Sequence, residues 1–383
     1  MNIGLFADCY TPTVSGVVTS LLQLKQGLEQ RGHRVLIFTV AGPEYVDQDS
    51  AVHNVPSLPF NRASGFRLGL TKPRAIERLV RAEALDLIHT HTEYSLGWMG
   101  KRAARRLHLP LVHTAHTLHQ EYRHYLPLGR LVSTRMVQRY LKLFLADYDL
   151  VVCPSNKALA YVRTSAPEVK TVVVENGIAR ERFMPHPLTP DQWCTARQAL
   201  GLSTSDRVLL YVGRIAPEKR VLELLAALTP LLRHHTHYKL LFVGDGPARE
   251  HLLQARNRSG LQDQVLSVGR VAWEQTHRFY AIADLFVTAS LSEVQPMTLI
   301  EASLCGLPIV ARRDASFAGL VEDGHNGYLV DADLQLADCA AGLLRDESRR
   351  NTFAHNSLLR AQGFTAEKHV ETIETLYQKL TNR

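Results

Sequence analysis

Cysteine is scarce in this chain, with five in 383 residues, and no two of them form a Cys-x-x-Cys pair. Their spacing predicts neither a disulfide framework nor a thiolate metal site, and it favours a reducing compartment. Long apolar runs are absent as well, because none approaches the ~20 residues that a membrane-spanning helix needs. The sequence opens directly on the apolar run Ile3 to Phe6, without a basic and apolar leader. We therefore expect a cytoplasmic protein that is soluble or attached to the surface of a membrane.

The net positive charge of the chain comes from its first half. Residues 1–185 contain 23 Lys and Arg against 15 Asp and Glu, whereas residues 186–383 contain 21 against 22. A basic surface attracts phosphate-rich partners, either nucleic acid or anionic lipid. We expect lipid and no nucleic acid, because two segments mix cations with apolar side chains: a loop-like stretch from Phe60 to Lys72 and a helix from Arg130 to Leu145.

The second of these segments has the pattern of an interfacial helix. At about 100° per residue, Arg135, Arg139 and Lys142 fall on one face. Five apolar residues gather on a neighbouring face: Val132, Met136, Tyr140, Leu143 and Phe144. This arrangement predicts binding to an anionic membrane surface. A helix whose apolar face belongs to the core and whose cations form a solvated rim gives the same pattern, so both interpretations stay open.

Short apolar runs alternate with helical stretches along the whole chain, which predicts parallel sheets with crossover helices. Strands are predicted at residues 2–7, 34–39, 87–90, 111–114, 150–154, 171–175, 207–213, 239–244, 265–268, 285–289, 308–311 and 327–330. Pro185, Pro187 and Pro190 exclude a continuous helix or central strand between the two series. We therefore expect two Rossmann-like α/β domains, residues 1–182 and 183–364, with ligands at the carboxyl ends of the strands.

Two carboxylates follow one of these strands with the spacing Glu-x7-Glu. Glu293 lies in the loop after the strand, and Glu301 lies inside a short helix predicted from Thr298 to Leu304. The N-terminus of such a helix suits a diphosphate. Each carboxylate can accept two hydroxyl protons, and ribose and hexose both offer vicinal hydroxyls. The motif therefore predicts a site for a nucleotide sugar, with Glu301 on the ribose and Glu293 on the sugar.

Glycine and two cations at other strand ends complete the predicted phosphate site. Gly16 stands where a loop becomes a helix, so that backbone can approach an anion closely. Arg214 and Lys219 follow the strand that ends at Val212. Fixed cations in this position hold a diphosphate and stabilise the charge that develops on it as it leaves.

Taken in order, these segments resemble one known family. The Glu-x7-Glu block resembles the signature of the retaining GT-B glycosyltransferases of family 4, and its variant Glu-x-Gln-x-x-Thr-x-x-Glu-Ala is similar to that of the diacylglycerol glucosyltransferases within the family. The opening strand, the glycine loop and the segment Arg31-Gly32-His33-Arg34-Val35 match as well. Two histidine-rich segments, residues 89–97 and 113–122, resemble the lipid-glucosylating branch more narrowly. The matches run from the first strand to about residue 330.

The resemblance implies a GT-B fold, in which two Rossmann-like domains face each other with their parallel sheets across a cleft. Residues 1–182 would bind the acceptor and the membrane, and residues 183–364 would bind the donor. The last helix, residues 365–383, would pack back onto the first domain.

The resemblance also implies roles for individual residues. His116 would contact the donor sugar or the reacting centre, and it would form the catalytic set with Arg214, Lys219 and Glu293. The donor would be bound by Gly16, Arg214, Lys219, Val271, Glu293, Gln295, Pro296, Met297, Thr298 and Glu301. The family often has two adjacent glycines where this chain has Ser15-Gly16. The close approach to the donor is therefore assigned to Gly16.

The implied reaction moves glucose from UDP-glucose to diacylglycerol with retention of the α-configuration, at the cytosolic face of the cell membrane. The product would be α-monoglucosyldiacylglycerol. No tightly bound cofactor is expected, and a Mg²⁺ ion, if one binds, is not essential. One alternative is the same fold with another acceptor, such as phosphatidylinositol or a soluble polyol, or with another donor, such as GDP-mannose. The other alternative is a non-enzymatic membrane-binding protein that kept the fold.

Three further patterns point to other chemistry. Asp147-Tyr148-Asp149 has the Asp-x-Asp form of metal-dependent transferases, but it stands between a predicted helix and a strand, where polar residues are expected. The run that begins at Gly244 resembles a dinucleotide fingerprint, yet Arg249 occupies the place of the third glycine. The histidines at 113, 116 and 119 pass from a strand into a loop, so their even spacing need not converge on a metal. We expect no metal site and no NAD.

Overall fold

The computed structural model describes residues 1–13, 15–41, 49–61, 66–121, 132–183 and 188–382. The chain forms two compact units: a first unit of Met1–Gly177 with Ala366–Arg383, and a second unit of Ile178–Thr365. The boundary between the two units lies before residue 182. Ile178 forms a β-bridge with Thr365 of the second unit, and Phe183 is buried in the core of that unit. The proline-rich stretch after Phe183 lies in part outside the described residues.

In the described ranges, the first unit contains eight strands and six helices. The strands are β1 (Asn2–Phe6), β2 (Arg34–Ala41), β3 (Val52–Asn61), β4 (Phe66–Gly69), β5 (Leu87–Thr90), β6 (Leu111–Thr114), β7 (Leu150–Cys153) and β8 (Thr171–Val173). The helices are α1 (Gly16–Gln30), α2 (Pro73–Ala82), α3 (Ser95–Leu107), α4 (Thr134–Leu145), α5 (Asn156–Ser165) and, from the end of the chain, α14 (Ala366–Thr381).

The first sheet has the strand order β4-β3-β2-β1-β5-β6-β7-β8. Every neighbouring pair is parallel except β3 and β4, which form an antiparallel edge. Strand β1 pairs with β2 on one side and β5 on the other, so the order reverses at β1. In open sheets of this kind, the loops that follow the two strands at the reversal run in opposite directions and leave a crevice at the carboxyl edge. The loops that carry Gly16 and His91 follow β1 and β5.

Helix α14 contributes to the core of the first unit. Val370, Ile373 and Tyr377 are buried with residues of α1 and of the central strands. A Cβ atom on Gly27 of α1 would lie 2.5 Å from Cγ2 of Val370, so the two helices pack closely at a position without a side chain. The apolar stripe of the last helix is therefore covered by the first unit.

In the described ranges, the second unit contains six strands and eight α-helices. The strands are β9 (Arg207–Val212), β10 (Tyr238–Val243), β11 (Val265–Ser267), β12 (Leu285–Thr288), β13 (Ile309–Arg312) and β14 (Gly327–Val330). The helices are α6 (Arg180–Phe183), α7 (Pro190–Gln198), α8 (Val221–His234), α9 (Arg249–Arg258), α10 (His277–Ala281), α11 (Met297–Leu304), α12 (Gln335–Arg345) and α13 (Glu347–Ala361). Short 3₁₀ turns lie at Pro217–Lys219, Trp273–Gln275 and Ala315–Phe317.

The second sheet is parallel throughout and has the order β11-β10-β9-β12-β13-β14. Counted along the chain this is 3-2-1-4-5-6, the order of the Rossmann fold. Leu209 and Tyr211 belong to one buried cluster, and Val208 and Leu210 belong to another. Both faces of the sheet are therefore covered, which explains why its strands are apolar runs without alternation.

The structure confirms all twelve predicted strands within a few residues, but it adds β3 and β4. Strand β3 was missed because it contains Pro56 and Pro59, which weaken the signal of a strand and are tolerated near an edge. The stretch from 60 to 72 is not simply a loop: its first two residues end β3, and Phe66–Gly69 form β4. Residues 62–65 lie outside the described residues.

Gly244→Ala should destabilise the second unit by about 2–4 kcal/mol. Gly244 has a φ of +141°, and a Cβ there would lie 1.9 Å from the carbonyl oxygen of Gly213, which leads into the Arg214 loop. Gly342→Ala is the matched control: its Cβ would meet nothing within 4 Å, so helix propensity should raise stability by ~0.5–1 kcal/mol. Urea unfolding of both variants checks this. Equal stability of the two would contradict the close approach of the two loops.

Candidate functional site

The first motif carboxylate is paired with a motif cation. Glu293 lies in the loop after β12, and Lys219 ends the 3₁₀ turn after β9. Lys219 Nζ lies 2.7 Å from Glu293 Oε1, although 74 positions separate the two residues. Ser290 Oγ donates to the same oxygen at 2.7 Å, and Ser292 Oγ donates to the carbonyl of Glu218 at 3.0 Å. The two loops are therefore joined by a salt bridge and hydrogen bonds at the point where the strand order reverses.

The second motif carboxylate is buried inside the unit. Glu301 in α11 is 3% exposed. Its Oε1 accepts a hydrogen bond from Trp273 Nε1 at 2.8 Å, and its Oε2 accepts one from Tyr280 Oη at 2.6 Å. Burial raises the pKa of Glu301, while the two hydrogen bonds lower it. Glu293 and Glu301 thus sit in different environments, one beside a cation and one among neutral donors.

The other predicted donor residues of the second unit follow the carboxyl ends of β9, β11 and β12. Arg214 comes directly after Gly213, and its carbonyl accepts from Tyr211 Oη at 3.0 Å. Val271 follows Gly269, whose carbonyl accepts from the amide of Gly244 at 2.9 Å. Gln295 and Pro296 precede α11, and Met297 and Thr298 form its first turn. No side chain caps this helix, and N–H groups of a first turn have no partner within the helix.

In the first unit, Gly16 begins α1. Ser15 is the N-cap, and its Oγ accepts from the amide of Val18 at 3.3 Å. This capping gives Ser15 a structural role at the start of α1. The close approach to an anion stays a prediction for Gly16, and the structure adds the cap at Ser15.

The three evenly spaced histidines have different partners. His113 Nε2 lies 3.2 Å from Glu93 Oε1, and His119 Nε2 lies 3.4 Å from Glu93 Oε2. Burial raises the pKa of Glu93, but the contacts with the two histidines outweigh it, so the net pKa lies well below the usual range. His116 is turned to another partner, His91. Among the described residues, no group of three or more His, Cys, Asp or Glu is arranged to hold a metal ion.

His116 and His91 form a hydrogen-bonded pair. Nδ1 of His91 lies 3.0 Å from Nε2 of His116. The ring centroids are 5.3 Å apart and the ring planes differ by 22°, so the rings meet nearly edge to edge. Burial lowers the pKa of His116 to about 3, and it lowers the pKa of His91 as well. At neutral pH His116 is therefore an uncharged imidazole that can donate or accept a hydrogen bond.

Helix α4 divides its apolar residues between the core and solvent. Val137, Leu141, Phe144 and Leu145 are buried. Met136 and Leu143 are 57% and 60% exposed, and Tyr140 is 37% exposed. The three cations of the helix are exposed beside them: Arg135, Arg139 and Lys142. The predicted apolar face was therefore wrong for Phe144, which belongs to the core, while the exposed stripe keeps its mixture of apolar and cationic side chains.

An aromatic pair adjoins this exposed stripe. Trp98 of α3 donates from Nε1 to Tyr140 Oη at 3.0 Å, and its side chain is 38% exposed. Trp and Tyr favour the boundary between water and lipid. In the described ranges, no helix combines the length and the apolar character that crossing a bilayer requires.

Several residues that contact the motif side chains were not predicted from the sequence. Ser290, Trp273 and Tyr280 bond to Glu293 or Glu301, and His91 bonds to His116. His91 directly follows β5, and Ser290 lies two residues after β12, so both stand at the ends of buried strands, which is a usable signal. Trp273 and Tyr280 carry no such signal, because their contacts with Glu301 arise from the packing of the 3₁₀ turn Trp273–Gln275 and of α10 against α11.

Two family profiles cover most of the chain. The profile of Glycosyltransferase Family 4 matches residues 14–182, and that of Glycosyl transferases group 1 matches residues 195–360. The α-monoglucosyldiacylglycerol synthase of Streptococcus pneumoniae is 35% identical over 342 residues, which cover 88% of this chain and 77% of that protein.

The chain belongs to glycosyltransferase family 4.

Other comparisons agree with this assignment. The α-monoglucosyldiacylglycerol synthase of Acholeplasma laidlawii is 28% identical over 391 residues, which cover 100% of this chain and 98% of that protein. The crystal structure of Anabaena Alr3699/HepE in complex with UDP and glucose superimposes with a TM-score of 0.79 at 21% identity, covering 99% of this chain and 100% of that one. This family 4 glycosyltransferase therefore has the predicted GT-B fold and is a hexosyltransferase. The non-enzymatic alternative is no longer supported.

The salt bridge between Lys219 and Glu293 should contribute a coupling of about 1–2 kcal/mol to the stability of the second unit. The side chains are 16% and 18% exposed, so water screens them only in part. The measurement is a double-mutant cycle of Lys219→Ala and Glu293→Ala in urea. Trp98→Phe in the background leaves Trp193 and Trp273 as reporters of the second unit.

A matched cycle uses Arg313→Ala and Asp331→Ala, a pair 2.9 Å apart whose side chains are 46% and 76% exposed. Its coupling should stay below about 0.5 kcal/mol. If the two cycles give the same coupling, the Lys219–Glu293 contact is an ordinary surface pair.

Proposed function

We propose that this glycosyltransferase moves glucose from UDP-glucose to diacylglycerol at the cytosolic face of the cell membrane, with retention, and so makes α-monoglucosyldiacylglycerol. The observation that carries the lipid acceptor is the exposed face of α4, where Met136, Tyr140 and Leu143 stand beside three cations. Two relatives with the name α-monoglucosyldiacylglycerol synthase, at 35% and 28% identity, support the same acceptor and sugar.

The two motif carboxylates suit the two ends of a nucleotide sugar. Glu301 lies inside α11 and is assigned to the ribose hydroxyls, whereas Glu293 lies in the preceding loop and is assigned to the glucose hydroxyls. The amides of Met297 and Thr298 at the uncapped start of α11 are assigned to the diphosphate, since the N-terminus of a helix favours anions. Val271 and its neighbours are assigned to the base. The fold is shared with HepE, whose structure contains UDP and glucose, and this supports UDP as the nucleotide.

Arg214 and Lys219 are assigned to the charge that grows on the departing diphosphate. When the bond between the glucose C1 and the diphosphate oxygen breaks, that oxygen gains negative charge. The acceptor hydroxyl attacks C1 from the same face, and its proton passes to the diphosphate. Lys219 is already bonded to Glu293 at 2.7 Å, so its ammonium is fixed before the substrate binds. The two cations can stabilise this charge without Mg²⁺.

In the first unit, His116 is assigned to the sugar and Gly16 to the diphosphate. His116 is held by His91 at 3.0 Å and is neutral at physiological pH. It can therefore exchange hydrogen bonds with sugar hydroxyls without adding a charge.

The membrane surface is assigned to the first unit. Arg135, Arg139 and Lys142 would face lipid phosphates, and Trp98 and Tyr140 would lie at the boundary with the acyl chains. Lys142 also lies 3.3 Å from the exposed Glu168, which reduces its contribution. Leu58, just before the stretch 60–72, and Leu70, within it, are 59% and 55% exposed and are assigned to the same surface.

A transfer assay tests the reaction. Labelled UDP-glucose with diacylglycerol in anionic liposomes should yield a chloroform-soluble glycolipid whose anomeric proton in NMR shows the α-configuration. GDP-mannose in place of UDP-glucose, and phosphatidylinositol or free inositol in place of diacylglycerol, should yield little product. Activity should survive EDTA at least in part.

Three results would contradict the proposal. Label confined to a water-soluble product would assign a soluble polyol as the acceptor. Transfer from GDP-mannose alone would show that UDP-glucose is not the donor. A β-linked product would show that the reaction does not retain the α-configuration.

A charge-removal experiment tests the membrane surface. Replacing Arg135, Arg139 and Lys142 together by Ser should weaken binding to anionic vesicles about 100-fold, since each cation contributes about 1 kcal/mol near an anionic leaflet. The charge-matched control removes three exposed cations of the second unit: Arg233, Arg258 and Arg278. Unchanged binding by the α4 variant, or equal losses in both, would show that this face is a solvated rim.

A further inference from the structure

Glu301 has an unusual set of partners for a buried carboxylate. The residue is 3% exposed, and both of its oxygens accept from neutral donors, Trp273 Nε1 and Tyr280 Oη. No salt bridge to Glu301 occurs among the described residues. A carboxylate removed from water without a cation depends on hydrogen bonds to remain ionised. These two donors are therefore the groups that offset its burial.

The neighbouring titratable groups supply no charge that could replace these donors. Tyr280 comes from α10 and Cys305 from the turn after α11, and the Glu301 carboxylate helps to raise the pKa of both. Burial raises the pKa of each far above neutrality, so both are uncharged at physiological pH. The ionisation of Glu301 consequently depends on Trp273 and Tyr280 more than on any charge near it.

The two donors are themselves held in place. Tyr280 is 1% exposed, and its ring packs against Phe183 and Phe286. Trp273 lies in the 3₁₀ turn two residues after Val271, and its ring packs against Phe183 from another direction. Because the donors belong to elements other than α11, they fix the orientation of the carboxylate from two sides. A carboxylate has about four acceptor positions, so about two remain for other hydroxyls.

We propose that Trp273 and Tyr280 are positioning residues of the nucleotide site, which hold the Glu301 carboxylate in one orientation with its remaining acceptor positions directed to the vicinal hydroxyls of a ribose. This inference rests on the proposed function, because Glu301 is assigned there to the ribose. It adds one connection. Trp273 lies two residues after Val271, in the segment assigned to the base, and it donates a hydrogen bond to Glu301, which is assigned to the ribose.

The first test needs no ligand. The chain contains three tryptophans, so ¹⁵N-indole labelling gives three N–H resonances, and Trp273→Phe identifies the one of interest. The Trp273 resonance should shift with pH as Glu301 takes up a proton, with a midpoint above the ordinary range of glutamate. Glu301→Gln should abolish this titration. Tyr280→Phe should raise the midpoint by about one pH unit, because a donor to the charged form is lost.

Tyr238→Phe is the control, since Tyr238 is a buried tyrosine of the other core cluster. It should leave the midpoint unchanged. If the Trp273 resonance does not titrate in the parent, or if Tyr280→Phe leaves its midpoint where it was, Trp273 and Tyr280 do not control the carboxylate and the inference is overturned.

The second test measures the affinity for UDP by calorimetry between pH 5 and pH 8.5. The parent should lose affinity at acidic pH as Glu301 is protonated. Tyr280→Phe and Trp273→Phe should weaken binding at pH 8.5 by roughly 3- to 10-fold, because the carboxylate loses part of its orientation, and should also move the acidic loss to higher pH by about one unit. A loss of the same size at every pH, with no shift of the acidic loss, indicates a merely structural role and contradicts the proposal.

The two tests separate this inference from the proposed function. If the parent does not bind UDP, or if Glu301→Gln binds it as the parent does, the nucleotide assignment fails. The indole titration still decides whether Trp273 and Tyr280 control the carboxylate.

Discussion

The reversal of strand order between β9 and β12 is the constraint on which the candidate site of the second unit depends. The chain builds the sheet outward from β9 to β11 and then returns to β12 on the other side of β9, so the loops after β9 and β12 part at the carboxyl edge. Lys219 follows one strand and Glu293 follows the other, and the two meet at 2.7 Å. Helix α11 begins directly after the loop that contains Glu293, and this helix carries Glu301 into the interior. The Glu-x7-Glu spacing thus places one carboxylate in the loop and one in the core.

Several charged and polar side chains at the candidate sites of each unit have partners within the protein. In the second unit, Glu293 has Lys219 and Glu301 has two neutral donors. In the first unit, His116 has His91, while Glu93 lies between His113 and His119. Groups that are already oriented need little rearrangement when charge develops in a transition state. These partners fix the positions of residues that the sequence alone marks only as polar.

Much of the fold follows from the sequence, because a strand covered on both faces is a continuous apolar run with a recognisable end. Strand β3 was missed for a physical reason: Pro56 and Pro59 are compatible with a strand next to an edge but remove the usual signal. On α4, periodicity predicted an apolar stripe but could not decide that Phe144 faces the core while Met136 and Leu143 face solvent. The contacts of Trp273 and Tyr280 with Glu301 were out of reach for the same reason, since they depend on how separate helices pack and not on spacing along the chain.

The central claim is that Glu301 accepts the ribose hydroxyls of the nucleotide. The direct measurement compares the affinities of UDP and 2′-deoxy-UDP for the parent and for Glu301→Ala by calorimetry. The parent should bind UDP at least about tenfold more tightly than the deoxy compound, because a hydrogen bond to a charged group is worth ~1.5–3 kcal/mol. Glu301→Ala should bind the two nucleotides with equal affinity. A parent that does not distinguish them, or a Glu301→Ala variant that still does, would contradict the account.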